Sequence, residues 1–394
     1  MNLAKNLRKE GISMRRWNID FLKQLYSKYQ KLAETTEDPT LSLEYEDIAN
    51  SALDVIDRYY VLVHKKSGLS GANEFVTHKS IISGDFSVLR DYGYYCPYIR
   101  EFAEYNSILE INPNPDATLI EFDSDRLISL CSRFYHQLGG TFADEFGKIS
   151  QSFDDTIHIR KLTNSVAASG QTYSIYKTNI SFFELAYNKT IQDYVSAIHE
   201  FGHGIVNSIN PEAMWDFGTY CFSEVASLFF ELVGTDYIGT ELGIKKDAFD
   251  INMHVLKDYI NSAKIMSLKF DMYTMCDRAK LNNKKYVKDY LKHAVGIDNT
   301  TRSDILNFQL RECMHYVISY LTAIELYLIY QQSPEVAFDL LHKIIVAEKN
   351  SSKEYLDYVV GLGLEPGKNF EKYLATLFDK AKDFKDEKSL RYKN

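Results

Sequence analysis

The chain is poor in several features that mark protein classes, and each shortage excludes something. Its five cysteines, Cys96, Cys131, Cys221, Cys276 and Cys313, are scattered and odd in number. No paired spacing among them points to a disulfide framework or a cysteine-ligated metal. Unpaired thiols in a reducing compartment are the expectation, which favours the cytoplasm. No long basic run occurs, and the formal net charge of −9 argues against nucleic acid as a partner. Residues Met1 to Glu10 contain no apolar signal core. No stretch reaches the ~18 uncharged apolar residues of a membrane span, so no membrane partner is expected. Only seven prolines interrupt the chain, which leaves room for long helices.

What is abundant is apolar and aromatic. The 394 residues are 45% hydrophobic, enough for a large core in one elongated domain or two lobes. Twenty-nine tyrosines and 23 phenylalanines serve helix packing, or the walls of a peptide groove. Helical periodicity places helices around 17–35, 42–64, 124–150, 190–208, 219–233, 247–293, 302–331, 334–348, 352–361 and 368–384. Partial alternation places short strands at 156–160, 172–176 and 180–186. Pro97, Pro113 and Pro115 suggest irregular structure over 92–117. Residues 65–71, rich in Gly and Ser, read as a linker. The division expected is an N-terminal helical segment, 1–75, and a catalytic region, 76–394. The fold class is mainly α, with one small sheet beside a metal helix.

That helix carries the informative stretch, His199-Glu200-Phe201-Gly202-His203. Positions i and i+4 share a helix face, so both imidazoles reach one metal ion. Glu200 then lies toward the metal's open side, where a general base takes a proton from the attacking water. The surrounding residues support a helix. Ile191, Val195, Ile198, Ile205, Val206 and Ile209 form an apolar stripe. Thr190 and Asp193 make a capping-box pattern at its start. Gly202 in mid-helix costs about 1 kcal/mol relative to alanine, which close approach of another backbone would justify.

Two histidines leave a catalytic zinc site one protein ligand short. No third histidine follows at the H-E-x-x-H-x-x-G-x-x-H spacing. Glu224, within Ser223-Glu224-Val225-Ala226-Ser227-Leu228-Phe229-Phe230-Glu231, is the best candidate. Glu224 and Glu231 are seven apart on one face of an otherwise apolar helix. Glu224 reads as the ligand, and Glu231 as the acceptor for a ligand histidine's N–H. The implied cofactor is one Zn2+ per chain.

These residues resemble the oligopeptidase family of thimet oligopeptidase and oligoendopeptidase F, closer to the latter branch. Its members carry H-E-x-G-H followed by a small residue, then a glutamate ligand in an E-x-A-S-like stretch. His199 to Gly204 and Glu224 to Ser227 match that pattern, as does Asp193 six residues before His199. Ile180 to Asn188 resembles the strand that edges the family's substrate cleft. Tyr316 to Ala323 resembles its tyrosine-bearing helix over the zinc. The similarity spans roughly residues 85 to 385, with a shortened N-terminal part. It implies a deep cleft in an elongated helical fold, and an endopeptidase acting on short peptides. Tyr316 and Tyr320, four apart on one helix face, are candidate donors, and the resemblance favours Tyr320 for the transition state. Tyr316 and His315 are further candidates for contact with the oxyanion or the substrate. An edge strand at 180–185 would pair with an extended peptide. Gly170 either admits substrate backbone or makes a hairpin turn. Two other readings remain at this level: a zinc carboxypeptidase, which needs a basic group, and a non-catalytic zinc-stabilised helical interaction protein.

Overall fold

The computed structural model describes residues 15–64, 78–105, 108, 124–161, 170–187, 190–212, 217–276, 280, 283, 285–287, 289–290, 310–347 and 352–382. The linker expected at 65–71 lies outside them. The elements are α1 (Ile19–Thr35), α2 (Pro39–His64), α3 (His78–Ala103), α4 (Ser124–Leu138), α5 (Gly140–Ser150) and the single turn α6 (Phe153–Thr156). Three strands follow, β1 (Ile157–Lys161), β2 (Gly170–Ser174) and β3 (Ser181–Tyr187). Then come α7 (Ile191–Ile209), α8 (Phe217–Glu241), α9 (Lys245–Met275), α10 (Leu310–Tyr330), α11 (Pro334–Ile345), α12 (Ser352–Gly361) and α13 (Phe370–Lys382). The protein is mainly helical with one small sheet, as its periodicities imply.

Three expectations fail for stated reasons. The helix read over 247–293 ends at Met275, where Cys276 turns to extended backbone with φ −84° and ψ 150°. The helix read over 124–150 is two helices, because Gly139 and Gly140 take φ of 71° and 55°, a region that only glycine enters cheaply. The irregular stretch read over 92–117 is helical as far as Ala103, with Pro97 inside α3. A proline costs that helix one backbone bond. Tyr92, Tyr95, Ile99 and Phe102 repay it by burying one helical face.

The sheet has order β1-β3-β2, with β3 parallel to β1 and antiparallel to β2. The strand expected at the edge is therefore the central one. Alternation told which residues of β3 share a face, and it cannot tell which strands flank it. Ile159 N–H donates to Arg15 O at 3.0 Å, so the chain near Arg15 covers the outer side of β1. The other side of β2 remains as the sheet's second edge.

Each face of the sheet meets a different core. Phe183 and Leu185 belong to the large core around α7, with Phe183 packed on Phe201 at 5.1 Å between ring centroids. Phe182 faces the smaller core under α1 and α2, with Trp17, Leu22, Ala52 and Val55. Trp17 Nε1–H ties that layer down by donating to Phe183 O at 3.0 Å.

Behind α7 stand α8, α9 and α10. Cys313–Tyr330 of α10 has the length and composition of a membrane span, but 78% of it is buried inside the protein. It serves here as a core helix. Asp85 of α3 sets its start, accepting Leu310 N–H at 2.8 Å and pairing with Lys269 Nζ of α9 at 2.6 Å.

Candidate metal centre

The helix α7 begins with the expected capping box: Thr190 N–H donates to Asp193 Oδ2 at 3.1 Å. It is then buried along most of its length between the sheet and α8. Gly202 is the point of closest approach. A Cβ there would lie 2.9 Å from Ser227 Cα of α8, so any side chain would push the two helices apart. Glycine at this position brings the backbone carrying Glu224 against the backbone carrying the two histidines.

The result is one compact donor set. His199, His203 and Glu224 offer ligand atoms all within 4.8 Å of one another. His199 Nε2 and His203 Nε2 are 3.2 Å apart. Each stands 3.6 Å from an oxygen of Glu224. Ligands at the usual zinc distances, on a tetrahedron, are about 3.3 Å apart. The three separations thus fit the edges of one small tetrahedral coordination sphere. Both imidazoles also have their far nitrogens fixed. His199 Nδ1 and Glu231 Oε2 are 3.1 Å apart, and His203 Nδ1 and Ser223 Oγ are 2.5 Å apart. An Nδ1–H donated outward turns each Nε2 lone pair inward, as a ligand requires.

Glu200 is close enough for its charge to act on His199 and Glu224, and it is held by the sheet. Thr172 Oγ1–H lies 2.7 Å from Glu200 Oε2 and 3.0 Å from its main-chain oxygen. A Cβ on Gly170 would come within 2.6 Å of Glu200 Cγ, so β2 reaches Glu200 only because residue 170 lacks a side chain. Thr172 and Ser223 escape a reading of the sequence. Ser223 is adjacent to the ligand, and Thr172 is two residues beyond Gly170, yet neither belongs to a recognisable pattern.

The charge balance favours a cation. Burial lowers the His199 imidazole, but the bond to Glu231 and the charges of Glu224 and Glu200 outweigh it and raise its pKa to about 9. Burial raises the Glu200 carboxyl to about 7. His203 is driven well below the usual imidazole range by burial and by His199. Three carboxylates around two imidazoles are the surroundings in which a divalent ion displaces a proton.

Other residues singled out in the sequence are spread around this centre. Tyr316 lines a cavity of about 340 Å³ together with Glu231 and Tyr259. His315 is buried in α10. Tyr320 is 1% exposed and stacks flat on Tyr259, centroids 4.1 Å apart at 9°. Tyr259 has no sequence signal of its own, yet burial and the charges of Glu231 and Glu224 together push its phenol well up.

No family model and no curated protein sequence matches the chain. Solved structures do. A candidate oligoendopeptidase F from Bacillus anthracis str. Ames is 12% identical, covering 93% of this chain and 69% of that one at a TM-score of 0.44. PZ peptidase A, solved with an inhibitor, is 12% identical and covers 91% of this chain and 75% of its own at 0.49. A candidate peptidase from Chlamydophila abortus is 12% identical, with 92% and 62% covered at 0.46. These superpositions are coarse, so the functional reading rests on the site's own geometry.

Proposed function

We propose that the chain is a zinc-dependent peptidase that hydrolyses short peptides, acting as an endopeptidase. One observation carries the reading. Three donors spaced as the edges of one coordination tetrahedron stand beside a carboxylate that is not needed to complete them. A purely structural zinc site closes all four positions with protein ligands and has no use for an adjacent base. His199, His203 and Glu224 would hold one zinc ion. Bound there, zinc would polarise the scissile carbonyl and lower the pKa of water toward ~7.

The chain's own residues supply the rest. Glu200, raised to about 7 by burial, is poised to take a proton from the attacking water and return it to the leaving amine. Thr172 holds one carboxylate oxygen and so aims the other. The outer edge of β2, next to Glu200, offers main-chain groups to an extended peptide, a sequence-tolerant mode of binding. Tyr316, in the cavity wall, would contact the substrate. The buried Tyr320 and His315 are proposed as transition-state and oxyanion donors after closure around a peptide. Odd, scattered thiols favour a cytoplasmic setting, with short peptides as partners. None of Cys96, Cys131, Cys276 and Cys313 is in a disulfide.

Purified protein should contain close to one zinc per chain. It should cut a mixed peptide library at internal bonds, stop on chelation and resume on zinc addition, with products read by mass spectrometry. Cutting that persists in metal-free protein would overturn the mechanism. Release of only single C-terminal residues would make the protein a carboxypeptidase instead.

A further inference from the structure

We infer that the cavity beside Glu231 receives a lysine or arginine side chain of the peptide substrate, and that Asp258 sets this preference. The inference rests on the peptidase reading for its substrate class. Its geometry is that of a slot with two kinds of surface. Val255 and Val317 give apolar walls, and Tyr259 and Tyr316 add aromatic ones. The ring of Tyr259 is held in place by its stacking on Tyr320. Carboxylates stand at two points of the lining, Glu231 and Asp258, and among the described residues no lysine or arginine lines the cavity.

The three classes of substrate side chain fare differently. An acidic one is repelled. An apolar one gains the walls but strips water from carboxylates without replacing it, which costs free energy. A long cationic one satisfies every surface: its methylene stem lies along the valines, and its head sits over tyrosine faces within reach of the carboxylates. Glu231 Oε2 is engaged with His199 Nδ1, so the slot begins one side chain away from the metal ligands. A side chain entering it belongs to a residue near the scissile bond. Asp258 has a 66% exposed side chain and stands 3.6 Å from His254 on the same helix. It can therefore be changed without disturbing the core.

The test uses the full-length, zinc-loaded chain carrying Glu200→Gln, so that peptides bind uncut. Fluorescence polarisation compares alanine-based octapeptides with lysine or norleucine at each position in turn. Norleucine keeps the stem and removes the charge. One position should favour lysine by roughly tenfold, the sum expected of a partly exposed ion pair and a cation–π contact. Adding Asp258→Asn should cut that ratio by about three- to fivefold. Asp258→Lys should turn the preference toward glutamate at the same position, a gain that mere structural damage would not produce. Norleucine binding as well as lysine everywhere, or a ratio that survives Asp258→Asn, overturns the inference. The wild-type chain is assayed in parallel for cleavage. Failure to cut any peptide sinks the peptidase reading, while the binding ratios still decide the cavity.

Discussion

His158 and His199 lie on opposite sides of the three-stranded sheet, and the charges around them have opposite sign. His158 sits on β1 beside Glu184, which takes hydrogen bonds from Arg58 at 3.0 Å, from Arg160 and from Tyr173 at 3.2 Å. Two guanidiniums on one carboxylate leave that face positive. Burial lowers His158 to about 4; Glu184 opposes this, and Arg16, Arg160 and Arg58 add to it. His199 sits among Glu200, Glu224 and Glu231 and is raised to about 9. In the outer cluster both guanidiniums pair with Glu184 and stay about a quarter exposed, so water covers the remaining positive charge. The inner cluster has carboxylates in excess, and a cation would complete it. A charge group whose members pair with one another holds layers together; one with buried carboxylates in excess is suited to a cationic ligand.

The sharpest way to test that contrast is to change one carboxylate on each face. Glu200→Gln keeps the shape of the inner site and removes its proton acceptor. Turnover should fall by roughly 10²–10⁴-fold with zinc content unchanged. Wild-type turnover in a zinc-replete variant would remove Glu200 from the chemistry. On the outer face, Glu184→Ala strands two arginines that remain about a quarter exposed. Loss of one partner from a buried ion cluster costs about 3 kcal/mol, and their exposure keeps the value at that lower end. Denaturant unfolding should show this loss, with zinc affinity close to wild type. A stability change below about 1 kcal/mol would mean that Glu184 is not the tie between α2 and the sheet.

The inner cluster was largely legible in the sequence, and the outer one was not. His199, Glu200 and His203 are visible because 3.6-residue periodicity converts their spacing into a shared face. Glu224 and Glu231 stand out as charges on an otherwise apolar helix, and Glu231 reaches His199 Nδ1 as that reading requires. Gly202 marks the helix crossing. Thr172, Ser223 and Tyr259 act through contacts between elements far apart in the chain, for which one sequence holds no signal. The same applies to Arg58, 126 residues from Glu184. A clue did exist: Glu184 interrupts the apolar run Phe182-Phe183-Glu184-Leu185, and a charge inside a buried strand needs a partner. Which strand is central stayed hidden, because alternation fixes faces and pairing fixes neighbours.

A smaller effect probes how far the inner cluster depends on its outlying member. Glu231→Gln keeps a hydrogen-bond acceptor for His199 Nδ1–H and removes the charge. Changes at residues that orient metal ligands cost 10–100-fold in metal affinity. Competition with a chelating dye should place the variant in that range, with Ser223→Ala affected no more strongly. Unchanged affinity would show that Glu224 alone carries the electrostatics of the site.

The last contrast is in pH. His158 is neutral when folded, with a pKa near 4, and ordinary when unfolded, near 6.5. Between those values the unfolded chain binds more protons, so stability rises with pH through the window and is complete above it. Lowering the pH from 8 to 5 should therefore cost about 2 kcal/mol through this one group. His158→Phe keeps a ring against Trp17, 5.9 Å away between centroids, and removes the titration. Its stability at pH 8 should stay within about 1.5 kcal/mol of wild type. Over pH 8 to 5 its loss should be smaller by the His158 share. Parallel stability curves for the two proteins would mean that His158 is solvated or paired when folded. The outer face would then lose its claim to be the positively charged counterpart of the metal site.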